Sequence, residues 1–104
     1  MDLQEQLKDI CRQVPGCRAV TIMNLDGLVV VRHVENPDGV DDEVLMIEMT
    51  SAVRQMMQAI SSVEGGELTE FDMQFDKGSV LVRPLQDEHF VALLNIEDYK
   101  RFCN

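Results

Sequence analysis

Three cysteines, two histidines and a few closely spaced acids are the residues of this 104-residue chain whose types could do chemistry. Cys11, Cys17 and Cys103 carry the thiols, and His33 and His89 the imidazoles. Zinc centres usually draw their donors from tight pairs, two cysteines or two histidines a few residues apart. The spacings here match no such site. An odd cysteine count points instead to buried thiols in a reducing compartment. Cys11 and Cys17 flank Pro15-Gly16 and read as small core residues rather than a redox pair. Asn24-x-Asp26-Gly27 and Asn36-Pro37-Asp38-Gly39 offer oxygens as a calcium loop does, but neither continues to the closing glutamate. Both are explained as turns. Asp41-Asp42-Glu43 could pair as general acid and base, yet acids at a helix start cap it and complement its dipole. No glycine-rich phosphate loop occurs, so the chain is not expected to bind a nucleotide itself. No catalytic residue, cofactor or metal is expected.

The elements that position these residues follow from periodicity. Leu3, Leu7, Ile10 and Val14 recur at helical spacing and stop at Pro15-Gly16. Cys17 to Met23 and Leu28 to His33 read as strands joined by an Asn24-Leu25-Asp26-Gly27 hairpin, with Gly27 free to take positive φ. Bulky apolar residues fill nearly every position of both strands, the pattern of a covered sheet. Thr21 is the exception in the first strand. A loop from Glu35 to Val40 leads to a long helix from about Asp42 to Val63, capped by Asp41 and stopped at Gly65-Gly66. Leu45, Met49, Ala52, Met56, Ile60 and Val63 form one stripe on that helix. Met46, Val53 and Met57 widen it on one side and Ala59 on the other. The arc is wider than one sheet contact needs, so a second packing partner is expected.

Leu68 to Phe75 ends in clean alternation, with Phe71, Met73 and Phe75 against Glu70, Asp72 and Gln74. That is a strand covered on one side only. Ser79 to Leu85 and His89 to Ile96 complete the strands, with Pro84 at a strand end or bulge. Asn95 can cap a short last helix, Ile96 to Cys103. Strands one and five read as central and strand three as an edge, in a three-layer α/β sandwich around an antiparallel sheet.

A length of 104 residues suits one domain, taken as residues 1–104, and 45% hydrophobic residues allow a real core. The net charge of −10 repels phosphate backbones and anionic lipid, so no nucleic acid or membrane partner is expected. The first ten residues are acidic and amphipathic, unlike a signal peptide, and no apolar run reaches membrane-spanning length. A cytoplasmic protein is expected.

Val14-Pro15-Gly16 before an apolar strand, Asn24-Leu25-Asp26-Gly27-Leu28-Val29, the long second helix, and Gly78-Ser79-Val80-Leu81-Val82 before Pro84-Leu85 occur in one order over nearly the whole chain. Together they resemble the roadblock family of dynein light chains and small-GTPase regulators. The resemblance implies a profilin-like α/β (α+β) fold: a five-stranded antiparallel sheet of order 2-1-5-4-3, one long helix on one face and two terminal helices on the other. It implies a dimer joined by third strands and second helices. The implied contact residues are Met46, Met49, Val53, Met57, Ile60, Leu68, Glu70, Phe71, Asp72 and Met73.

The implied function is that of a non-catalytic homodimeric platform for a Ras-like small GTPase, of the mutual-gliding-protein-B type. A structural adaptor in a larger motor or scaffold complex is the alternative. The second helix's polar face, Glu48, Ser51, Arg54, Gln55, Gln58 and Ser62, is the implied docking surface. Arg54 is its one basic residue, and no transition-state role is assigned to it, because the family's regulators are understood to rearrange the GTPase's own residues.

Overall fold

The computed structural model describes residues 2–35 and 43–96. Their order is α1 (Leu3–Gln13), β1 (Cys17–Asn24), β2 (Val29–Val34), α2 (Glu43–Ser62), β3 (Phe71–Phe75), β4 (Gly78–Pro84) and β5 (His89–Ile96). The expected cap at Asp41 and the last helix beyond Ile96 lie outside the described residues. The strands form one antiparallel sheet in the order β2-β1-β5-β4-β3, as expected. Among the described residues no helix is long and apolar enough to cross a membrane.

Two apolar clusters hold the layers together. On one face Ala19, Met23, Val80, Val82, Phe90, Ala92 and Leu94 of the sheet meet Met46, Met49 and Val53 of α2. On the other, Leu7 and Cys11 of α1 meet Val20, with Ile22, Val31, Val91 and Leu93 packed around them. The helices therefore cover opposite faces, which is why β1 is apolar on both. Thr21 is also buried, in the middle of this strand.

Local chemistry sets the boundaries. Asp2 caps α1 by accepting from the Glu5 amide at 2.8 Å. The hairpin is held by Asn24, whose Oδ1 accepts from the amides of Asp26 (2.9 Å) and Leu28 (3.0 Å). Gly27 takes φ +87°, as its turn requires. α2 ends in a turn just before Gly65-Gly66: Glu64 and Gly66 both take positive φ, 56° and 84°, and the Gly65 amide donates back to the Ile60 carbonyl at 2.9 Å. Pro84 closes β4, where no ladder donor is needed. Gly78 lies so close to β5 that a Cβ there would meet the Asn95 carbonyl oxygen.

β2 is an edge, as the order 2-1-5-4-3 implies, but its apolar run is not covered throughout: Leu28, Val29 and Val30 are exposed. α1 covers the later half of the strand, where Gln4 donates to the Arg32 carbonyl at 2.6 Å. Beside α1 the same sheet face opens into an apolar groove of about 280 Å³, walled by Ile10, Leu81, Val91 and Leu93.

Candidate functional site

The long helix turns three faces to three environments. Met46, Met49, Thr50 and Val53 point into the sheet, and Thr50 satisfies its hydroxyl on the Met46 carbonyl at 3.0 Å. Met46, Met49 and Val53 are 4%, 3% and 0% exposed in a single copy. The sequence reading placed them at a contact between copies, but the sheet already covers them. Roughly a quarter turn away runs a second line: Leu45, Ala52, Met56, Ala59 and Val63. Its steps of seven, four, three and four residues follow the 3.5-residue repeat of a helix–helix seam. Met56, Ala59 and Val63 are exposed, Val63 to 75%. Met57 continues the sheet-facing line and Ile60 lies between the two; Leu45, Met57 and Ile60 are half-buried, and Leu45 and Met57 pack on the α2-side core.

β3 forms one edge of the sheet. Phe71, Met73 and the preceding Leu68 are half-buried against the α2-side core, while Glu70 and Asp72 are exposed. Glu70 is braced by Arg83 of β4, whose Nε donates to its carboxylate at 2.9 Å. The outer edge of β3 pairs with no other described strand.

The third face of α2 is polar. Glu48, Arg54, Gln55, Gln58 and Ser62 are exposed and Ser51 is half-buried. The structure thus brings all six implied docking residues to one surface. It adds two that the sequence reading missed, Val44 and Ile47, apolar yet 65% and 52% exposed. The available signal was their position, since both fall outside the apolar stripe.

A separate cluster forms where α1 ends. Cys11, on the last turn of α1, is buried, and its sulfur lies 2.7 Å from that of Cys17. A bulge between Cys17 and Ala19 turns Cys17 toward α1. His33 faces the same way opposite Val20, and Glu35 follows two residues later, its amide donating to the Arg18 carbonyl. His33 Nε2 and a Glu35 carboxylate oxygen share a 2.6 Å hydrogen bond, and Arg12 Nε stands 3.6 Å from the other oxygen. Donor atoms of Cys11, His33 and Glu35 all lie within 4.8 Å of one another. Burial pushes both thiols above their ordinary pKa, Cys17 the further, with its contact to Cys11 adding to the rise. The hydrogen bond from His33 holds the Glu35 carboxyl below its usual range. Sequence spacing concealed this group, because its members come from a helix, a strand start and a strand end. His89 opens β5 opposite Asn24 and takes no part in it.

Comparison with known proteins decides the family. Residues 3–95 match the family described as Roadblock/LC7 domain. This chain belongs to that family. The roadblock domain also superposes on solved structures. A Roadblock/LC7 domain from Streptomyces avermitilis is similar at TM-score 0.78 and 18% identity, over 94% of this chain and 81% of that one. The gliding protein MglB from Thermus thermophilus gives 0.77 and 14%, over 88% and 69%. MglC from Myxococcus xanthus gives 0.61 and 21%, over 94% and 82%. At these identities the likeness is one of fold. No curated protein matches the roadblock domain in sequence.

Proposed function

We propose that this roadblock domain is a non-catalytic homodimer whose paired α2 helices form a docking platform for a Ras-like small GTPase. The observation that carries the reading is the seam Ala52–Met56–Ala59–Val63, an apolar helix flank on which Met56, Ala59 and Val63 stay exposed in a single copy. A second copy of the same flank would bury it, since a twofold axis brings like surface to like surface. The open β3 edge would pair with its own counterpart, removing an exposed row of backbone donors and acceptors. Two polar faces then lie side by side, each with Ile47 and Val44 as apolar anchors within a rim of Glu48, Gln55 and Gln58. Membership of a family that includes GTPase regulators, and a fold shared with MglB, support the choice of partner.

The test has two stages. Light scattering at micromolar concentration should give twice the chain mass. Mixing with the small GTPase encoded nearest to it, loaded with GTP or GDP, should give co-elution in one nucleotide state and a changed hydrolysis rate. A dimer that binds the GTPase in neither state and leaves hydrolysis unaltered would refute the GTPase platform, and capture of an assembly lacking any GTPase would identify an adaptor.

A further inference from the structure

We propose that Cys11, Cys17, His33 and Glu35 form a zinc site that fastens the end of α1 to the sheet. Four potential donors converge there from three elements, and that convergence is built rather than accidental. The helix period places Cys11 one turn after Leu7, both facing the sheet. The bulge at Cys17 turns its sulfur to the same side. The alternation of β2 then brings His33, and Glu35 beyond it, onto that face, with the Glu35 amide still tied to the Arg18 carbonyl. Remove the bulge and Cys17 would point with Ala19 into the other layer.

The donor set selects the ion. Two sulfurs, one imidazole nitrogen and one carboxylate oxygen suit a borderline-soft cation and reject magnesium and calcium, which prefer oxygen alone. Four protein donors leave no open position, the signature of a structural centre. Zinc bonds of about 2.0–2.3 Å in a tetrahedron separate the donors by about 3.3–3.8 Å. Cys11, His33 and Glu35 already lie within 4.8 Å of one another, and Cys17 Sγ joins them through its contact with Cys11 Sγ. The two sulfurs, now 2.7 Å apart, separate by about 1 Å to flank the ion. Binding releases the thiol protons, since only thiolates ligate. The resulting centre carries one net negative charge, two thiolates and a carboxylate against Zn²⁺, and Arg12 beside Glu35 offsets it.

The experiment uses the full chain with Cys103→Ser, which removes the third thiol, reduced and stripped with a chelator, then titrated with Co²⁺. The expected result is saturation at one equivalent, with thiolate-to-cobalt charge transfer in the near ultraviolet and the intense visible bands of a tetrahedral ion. Zn²⁺ should bleach both. Cys17→Ser should remove about half of the charge-transfer intensity, and His33→Gln or Glu35→Gln should weaken zinc binding by about tenfold or more. His33 and Glu35 are not core residues, so these two variants fold even where Cys11→Ser does not. Cobalt bound without charge transfer, a spectrum unchanged by Cys17→Ser, or zinc affinity untouched by both His33→Gln and Glu35→Gln would overturn the assignment. So would a stripped chain that takes up no metal and closes a Cys11–Cys17 disulfide under mild oxidation.

Discussion

Met56→Asp separates the dimer from the fold. Met56 is 42% exposed in a single copy and lies on the seam of α2, away from the side chains that pack on the sheet. Within one chain the change gives up the burial Met56 already has, about 0.9–1.7 kcal/mol at most. Between copies the account differs. Full burial of a methionine side chain is worth about 1.5–3 kcal/mol. With 42% of its surface still open, each Met56 has about 0.6–1.3 kcal/mol left to gain. Two copies give about 1.3–2.5 kcal/mol, roughly a tenfold to seventyfold weaker dimer, and two facing carboxylates stripped of water weaken it further. Sedimentation across a dilution series reads the dissociation constant, and thermal melting of the dilute protein reads the fold. The expected pair of results is a large loss of association with a monomer that still melts cooperatively, at a modestly lower temperature. An equally tight dimer in Met56→Asp, or a monomeric parent at every concentration, would refute the seam. Phe71→Asp serves as contrast. Phe71 packs on the α2-side core within one copy, so its substitution should lower the melting temperature even of the monomer.

Three further outcomes are expected. Gly78→Ala should destabilise the fold by about 1–3 kcal/mol in denaturant titration, because the added Cβ meets the Asn95 carbonyl oxygen and backbone must shift. An unchanged midpoint would contradict the close approach of β4 and β5. Asn24→Ala should cost about 1–2 kcal/mol, since one side-chain oxygen serves the Asp26 and Leu28 amides, and faster hydrogen exchange at those two amides should accompany it. Ile47→Asp should leave dimerisation intact and abolish co-elution with the GTPase; retained co-elution would move the docking surface off this end of α2.

The strand and helix order was legible because two periods, 2.0 and 3.6, stand out between strong breakers such as Pro15-Gly16 and Asp26-Gly27. Within those elements, the facing of side chains was less so. The apolar arc of α2 is too wide for one contact, and that much is visible in sequence. Which flank meets the sheet depends on how the helix rolls, and the roll put Met46, Met49 and Val53 inward and left Met56, Ala59 and Val63 exposed. The run Leu28–Val31 looks the same in a central strand as in an edge strand, and only the sheet order decides. The thiol and imidazole cluster was hidden for a different reason. A single bulge changes the side of the sheet to which Cys17 belongs, and nothing in the residues from Cys17 to Val20 announces it.

The exposed first half of β2 sets a limit on how far these molecules can associate. In the proposed dimer, a β3-to-β3 union would consume one edge from each copy and leave two β2 edges facing outward at opposite ends. Those ends carry Leu28, Val29 and Val30, each open to solvent. Joining them end to end is an operation that never closes, so each addition regenerates a new terminus. The irregularity at Ile22/Met23, which shifts the pairing just where those residues lie, interrupts the regular ladder that such growth requires. In the proposed dimer, the extra residue at Val30 of β2 itself would separate a finite pair from a ribbon of indefinite length.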